Sequence, residues 1–264
     1  MSDSSLGTAL ITGASEGIGA VYADRLARRG YDLVLVARRR DKLEALASRL
    51  AGETGRSVEL IVADLTDPAE LAKVETRLKD GATIDLLVNN AGLSTLSSFA
   101  NLSSAQVSDI LSLNVVALTR LAWAAMGPMT QRGQGTIINI GSVVALSHLP
   151  NAALYAGTKA FVLTLTQALA AEASGQGLRF QAVLPGATRT NIWVKSGLPV
   201  EHLPQEIVME TADMVDAALA GLDQGELVTI PALADASEWE RVETARLALA
   251  NKLSLAKPAS RYLA

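Results

Sequence analysis

Residues 8–27 read TALITGASEGIGAVYADRLA, and the reading of this stretch decides the fold. An apolar, strand-like run stops at Gly13. Gly17 and Gly19 follow, and then a helix-favouring run rich in Ala, Leu and Arg begins. Glycines at such a junction permit a tight turn and let backbone approach a pyrophosphate, while the helix start offers free N–H groups and a partial positive charge. The spacing is G-x-x-x-G-x-G, not the G-x-G-x-x-G of the common dinucleotide fingerprint. A glycine-rich turn without a ligand is the competing reading; the strand before and the helix after favour phosphate.

Working outward, apolar β-rich runs recur: DLVLVA from 32, VELIVA from 58, IDLLVN from 84, TIINIG from 136, LRFQAVLPG from 178 and ELVTIP from 226. Helix-like segments lie between most of them. Continuous apolar strands alternating with helices call for a parallel sheet covered on both faces. Right-handed crossovers restrict the topology to a doubly wound sheet. The expectation is an α/β, Rossmann-like single domain over residues 1–264, with seven parallel strands and helices on both faces. Two long helices are expected at about 103–131 and 153–174. A loop at about 186–210, rich in proline and turn residues, is long enough to act as a lid. A last amphipathic helix is expected at about 235–252, capped by Asp235 or Ser237.

The 264 residues are 49% hydrophobic and 19% charged, with a formal net charge of −4. That balance argues against a nucleic-acid surface and against a basic membrane-binding face. There is no cysteine, hence no disulfide, no thiol nucleophile and no thiolate-bound metal. His148 and His202 lie far apart and read as ordinary loop residues, so no metal is expected. The N-terminal stretch lacks the pattern of a cleavable leader. Arg120 and Lys159 interrupt the best candidates for a membrane span. A cytoplasmic protein is the expectation.

Strand two decides which dinucleotide. A carboxylate at its end would hold the ribose 2′-hydroxyl of NAD; here the strand runs into Arg38, Arg39 and Arg40. Cations are unfavourable at a helix N-terminus, so three of them call for an anion. A 2′-phosphate with an arginine fork satisfies that requirement. NADP(H) is therefore expected over NAD(H), with Arg38 as the main 2′-phosphate ligand beside Arg39.

A second stretch, LYAGTKAFVLTLTQAL at 154–169, is an apolar helix that carries Lys159 one turn after Tyr155. An unpaired ammonium there is costly to desolvate. Positions i and i+4 share a helix face, so the ammonium can lie near the phenol. At about 5 Å and an effective dielectric near 20, it would stabilise a phenolate by roughly 3 kcal/mol. That would draw the phenol from about 10 towards about 8, suiting a general acid/base. A core tyrosine with a snorkelling lysine is the alternative.

TGASEGIG at 12–19, NNAG at 89–92, Asn114, Ser142, YAGTK at 155–159 and PG at 185–186 follow one another in order. Together they resemble the short-chain dehydrogenase/reductase family, over nearly the whole chain to about residue 230. The resemblance implies hydride transfer between a nicotinamide cofactor and a carbonyl or alcohol, with Tyr155 as the acid/base. It implies that Ser142, rather than Ser147, hydrogen-bonds the substrate oxygen, and that Lys159 holds the nicotinamide ribose. For Asn114 the pattern alone favours a core amide, whereas the resemblance implies a proton relay through water to Lys159. It places Gly13, Ser15, Glu16, Gly17, Ile18 and Gly19 at the cofactor's phosphates, and Asp64 and Leu65 at its adenine. Asn90, Ala91 and Gly92 follow strand four, with Asn89 supporting the sheet, and Pro185, Gly186 and Thr188 face the nicotinamide amide. One departure is Glu16, where some NADP-preferring members carry a basic residue; pointing inward, it would oppose phosphate.

The substrate pocket should lie above the nicotinamide, with Leu93, Ser94, Val144, Leu149 and Trp193 as candidate walls. Trp193 and Ile192 either close over an apolar substrate or anchor the loop. A ketone or secondary alcohol with apolar flanks is the expected partner. A 3-oxoacyl thioester reductase and a non-catalytic NADP-binding sensor are the rival readings. The two long helices resemble those that associate in this family, so a homodimer or homotetramer is expected.

Overall fold

The computed structural model describes residues 6–147 and 149–263, apart from the side chains of Lys195 and Asn251. His148, read above as an ordinary loop residue, lies outside the described residues, as do the first five residues of the N-terminal stretch. The chain divides into two units, one ending at Pro231 and the other starting at Ala232.

In the first unit, β1 (Thr8–Thr12), α1 (Gly17–Arg28), β2 (Asp32–Ala37), α2 (Arg40–Thr54), β3 (Val58–Val62), α3 (Pro68–Asp80) and β4 (Leu86–Asn89) alternate. Next come α4 (Ser104–Leu111), a π-helical turn (Ser112–Ala117), α5 (Leu118–Arg132), β5 (Gly135–Ile140), α6 (Ala153–Glu172) and β6 (Leu178–Val183). A short α7 (Ile192–Lys195), α8 (Thr211–Asp223) and β7 (Val228–Thr229) complete the unit. The second unit contains α9 (Ala236–Leu247), where the Asp235 carboxylate accepts from the Ser237 amide as the cap. It ends earlier than the expected 235–252 and continues as a 3-10 turn over Ala250–Lys252.

The seven strands form one parallel sheet in the order β3-β2-β1-β4-β5-β6-β7. Side chains alternate across a strand, so neighbours serve different layers. Ile11, Leu33, Leu35 and Val88 pack with Tyr22 and Leu26 of α1, Leu43 and Leu50 of α2, and Val215 and Leu219 of α8. Leu10, Val34, Val36 and Leu87 pack on the other face with Leu71 and Val74 of α3 and Leu121, Ala125 and Met129 of α5. Both faces of the central strands are covered, which is why β1, β2 and β4 read as nearly unbroken apolar runs, whereas Glu59 of the edge strand β3 is exposed.

Successive strands run outward from β1 in one direction and from β4 in the other, so the order reverses between them. A crevice opens there at the carboxyl ends of the strands. Thr12 fastens it: its hydroxyl accepts from the amides of Asn90 and Ala91, both at 3.0 Å, and donates to the Val88 carbonyl. The Asn90 side chain returns a bond to the Thr12 carbonyl at 2.9 Å.

Two expectations need correction. The helix expected at 103–131 is interrupted by the π-helical turn, which holds Asn114. The continuous helical stretch Ser104–Arg132 is also long and apolar enough to cross a membrane by length and composition, contrary to the sequence reading. Here Leu118, Leu121, Ala124 and Met129 of that stretch are buried in the protein core.

Candidate active site

A cavity of about 750 Å³ opens on the crevice, and most of the expected site residues line it. At one end the backbone turns at Gly13 (φ +66°) and Gly17 (φ +58°), in the left-handed region that favours glycine. α1 starts at Gly17 with no side-chain cap and no acid in its first turn. Its first N–H groups are therefore available to a ligand at the cavity wall formed by Gly17 and Ile18. This cradle fits a pyrophosphate. Gly19 stands elsewhere: a Cβ on it would come within 2.5 Å of the Gly13 carbonyl oxygen and of Asn90 Nδ2, so its role is close packing behind the turn.

Arg38 and Arg39 both line the cavity just past the end of β2. Arg38 is the more exposed, with a 3.4 Å contact to Asp64. Arg39 donates to Ser15 Oγ at 2.9 Å and pairs with Glu16 at 2.8 Å. Desolvation acts to raise the Asp64 carboxyl, but hydrogen bonds from the Thr66 amide and hydroxyl, with the nearby Arg38 guanidinium, hold it below the usual carboxylate range. Asp64 thus serves as a turn residue and lines the cavity beside the buried Leu65.

Ser142, Tyr155 and Lys159 meet at the other end. β5 delivers Ser142, whose hydroxyl donates to the Pro185 carbonyl and accepts from the Val144 amide. α6 delivers the other two, one turn apart. Lys159 is 5% exposed, and its Nζ donates to the Ile140 carbonyl at 2.8 Å and lies 5.7 Å from the Tyr155 ring centroid. Burial pulls the ammonium down to about 8. Tyr155 keeps some surface open to the cavity, yet the protein packed round its phenol pushes it up to about 12, against the lowering effect of the Ser142 hydrogen bond. This reverses the expected shift towards 8. Desolvation of the phenolate outweighs a lysine that lies beside the ring and is already bonded to a carbonyl.

Asn114 is buried, and its amide clasps the Leu93 backbone: Oδ1 accepts from Leu93 N and Nδ2 donates to Leu93 O, both at 2.8 Å. Nδ2 also donates to the buried Thr158 hydroxyl, which in turn donates to the Tyr155 carbonyl. A Cβ on Gly92 would lie 3.4 Å from Asn114 Oδ1 and 3.7 Å from Lys159 Nζ, so the amide and the ammonium flank the same backbone position. π-helical turns often mark functional sites.

Asn90, Ala91, Gly92, Pro185, Gly186 and Thr188 line the middle of the cavity. Leu93, Ser94, Val144, Leu149, Ile192 and Trp193 extend its wall beyond the polar cluster. Trp193 Nε1 donates to the Thr188 carbonyl at 2.8 Å, so this residue both anchors the loop and faces the cavity. The sequence reading gives no role to Thr12 and Thr158, although both stand inside the motifs TGASEGIG and YAGTK, nor to Asn191, a lone polar side chain outside them; their contacts reveal all three.

The sequence profile of the short chain dehydrogenase family matches residues 7–199. The chain belongs to that family. It is thereby an oxidoreductase, and the seven-stranded sheet is that of its relatives. A short-chain dehydrogenase from Sphingobium yanoikuyae, solved in complex with NADPH, is 50% identical with a TM-score of 0.93, over 96% of this chain and 98% of that one. The bulky-bulky ketone specific alcohol dehydrogenase from Comamonas testosteroni is 45% identical with a TM-score of 0.91, over 99% of this chain and 100% of that one. Human 17-beta-hydroxysteroid dehydrogenase type 3 is 32% identical over 207 residues, 78% of this chain and 64% of the human protein. The chain thus spans less than two thirds of that relative's length.

Proposed function

We propose that this protein is an NADP(H)-dependent reductase of ketones, and in reverse a dehydrogenase of secondary alcohols, with Tyr155 as the general acid/base. One observation carries the reading: the glycine turn, Arg38 and Arg39, the Ser142–Tyr155–Lys159 cluster and an apolar wall share a single cavity. The Sphingobium relative's NADPH complex supports the same cofactor.

Bound NADPH supplies the hydride. As the carbonyl carbon accepts it, negative charge grows on the oxygen and must be met by donors. The Ser142 hydroxyl can turn from the Pro185 carbonyl to donate to that oxygen. Tyr155, protonated throughout the neutral range, gives up its proton to form the alcohol. Lys159 donates to the Ile140 carbonyl and has further N–H donors for ribose hydroxyls and for the phenolate left behind. Asn114 fixes the Leu93 backbone at the cavity wall; its place beside Gly92 and Lys159 suits a water that returns the proton. The apolar extension beyond Ser142 favours a ketone with bulk on both sides of the carbonyl, in keeping with the substrate named for the Comamonas relative.

The test is oxidation of NADPH, followed by the cofactor's absorbance, over ketones of graded bulk. Turnover should be greatest with two bulky apolar substituents. Tyr155→Phe should lower kcat by about a thousand-fold while the Kd for NADPH stays within about three-fold. Silence across the panel together with tight NADPH binding would favour a non-catalytic sensor instead.

A homo-oligomer is part of the same proposal. α4, the π turn, α5 and α6 present Leu111, Val116, Trp123 and Phe161 to solvent, large apolar side chains on the helices expected to associate.

A further inference from the structure

Glu16 stands between two parts of the site that are far apart in sequence. Its carboxylate, 20% exposed, pairs with Arg39 at 2.8 Å through Oε1 and with Lys42 at 3.3 Å through Oε2. The same Oε2 accepts from Asn191 Nδ2 at 2.8 Å. Asn191 opens α7 in the segment that carries Ile192 and Trp193 onto the cavity wall. The preceding residue also touches the turn, since Thr190 Cγ2 lies 3.3 Å from where a Cβ on Gly17 would stand. The base of the segment is pinned separately by the Thr188–Met209 bridge. Glu16 therefore joins the basic cluster at the end of β2 to the start of the substrate loop.

We propose that Glu16 is a specificity-determining residue that couples the nucleotide's 2′ position to the substrate loop: it occupies Arg39 and Lys42 until a 2′-phosphate competes for them, and it holds the loop through Asn191. The inference rests on the NADP(H) reading above. A 2′-phosphate drawing Arg39 and Lys42 to itself strips Glu16 of two cations and places a like charge beside it. The carboxylate then loses two of the groups that hold it under Asn191, and the start of the loop loosens. A 2′-hydroxyl carries no charge and leaves the latch closed. By linkage, a cofactor that opens the latch must work against it on binding.

The experiment uses the full chain, with NADPH and NADH as probes. Calorimetry gives the ratio of their dissociation constants, and hydrogen–deuterium exchange follows residues 190–203 in each complex. The difference between complexes isolates the 2′ group, because contacts of the nicotinamide half are common to both. In Glu16→Gln, which keeps an acceptor for Asn191 but no charge, the preference for NADPH should rise about ten-fold, the scale of a charge-assisted contact. In the wild type the segment should exchange faster with NADPH than with NADH. In Asn191→Leu, a change at an exposed position, that difference should vanish. An unchanged ratio in Glu16→Gln, or an undiminished difference in Asn191→Leu, overturns the coupling and leaves the cofactor reading intact. Wild-type binding of NADPH no tighter than NADH overturns both.

Discussion

At the scale of single residues, Tyr155 and Lys159 titrate in opposite senses, and the consequence is a pH profile. The phenol, at about 12, stays protonated across the working range and is always ready to donate. The ammonium, at about 8, loses its charge as pH rises through that value. Since the charged form stabilises the phenolate that proton donation leaves, kcat/KM for ketone reduction should fall above about pH 8. Stability runs the other way. A lysine depressed below 10.5 contributes stability that is full above 10.5 and is lost as pH falls through 8. A phenol raised above 10 contributes stability that is present below 10 and is lost as pH rises through 12. Between pH 8 and 10 activity should therefore decline while the fold gains from the neutral amine. Lys159→Arg, with a guanidinium that stays charged, should carry the kinetic limb out of the accessible range. A limb that remained near pH 8 in the variant would assign it to another group. The sequence pattern alone misjudged the direction of the Tyr155 shift, because i, i+4 spacing reports proximity and says nothing of desolvation.

At the scale of elements, the join between β1 and β4 is the seam on which the site depends, and one hydroxyl closes it. Thr12→Val keeps the shape but leaves the amides of Asn90 and Ala91 without their acceptor. Two under-satisfied donors at a mostly buried seam should cost about 3 kcal/mol, read as a lowered midpoint in urea denaturation at unchanged slope. A loss below about 1 kcal/mol would mean that water replaces the hydroxyl. All seven strands were legible in the sequence, because burial on both faces leaves the central ones as nearly uninterrupted apolar runs and the others, such as β3 with its exposed Glu59, still rich in β-branched and apolar residues. The irregular elements were not. A π turn at Asn114 adds a residue to the helical register without disturbing its apolar composition. Likewise α7 and the 3-10 turns Val200–His202 and Gln205–Ile207 are too short to show a period, so the stretch at 186–210 read as a plain loop.

At the scale of the whole molecule, the site was legible wherever a fixed spacing reflects a fixed geometry. The glycine turn, NNAG and the Tyr155–Lys159 pair each belong to one strand end or one helix face. Contacts such as Glu16 with Asn191 join residues 175 positions apart and leave no local trace. Assembly is subject to the same limit, since no motif marks the surface that another copy would cover. What the fold adds is exposure: Phe161 of α6 is 37% exposed, and Val116 and Leu111, in the helical stretch before it, are 46% and 40% exposed. Apolar side chains on neighbouring helices are costly to leave in water, and the proposed homo-oligomer would cover them in a self-complementary interface. Phe161→Glu would place a carboxylate, and its symmetry mate, in that interface without touching the cavity. Analytical ultracentrifugation should then show the wild type at two or four chains and the variant shifted towards one, with the same far-ultraviolet circular dichroism. A wild type that sediments as one chain, or a variant that keeps the wild-type mass, would remove these helices from the assembly.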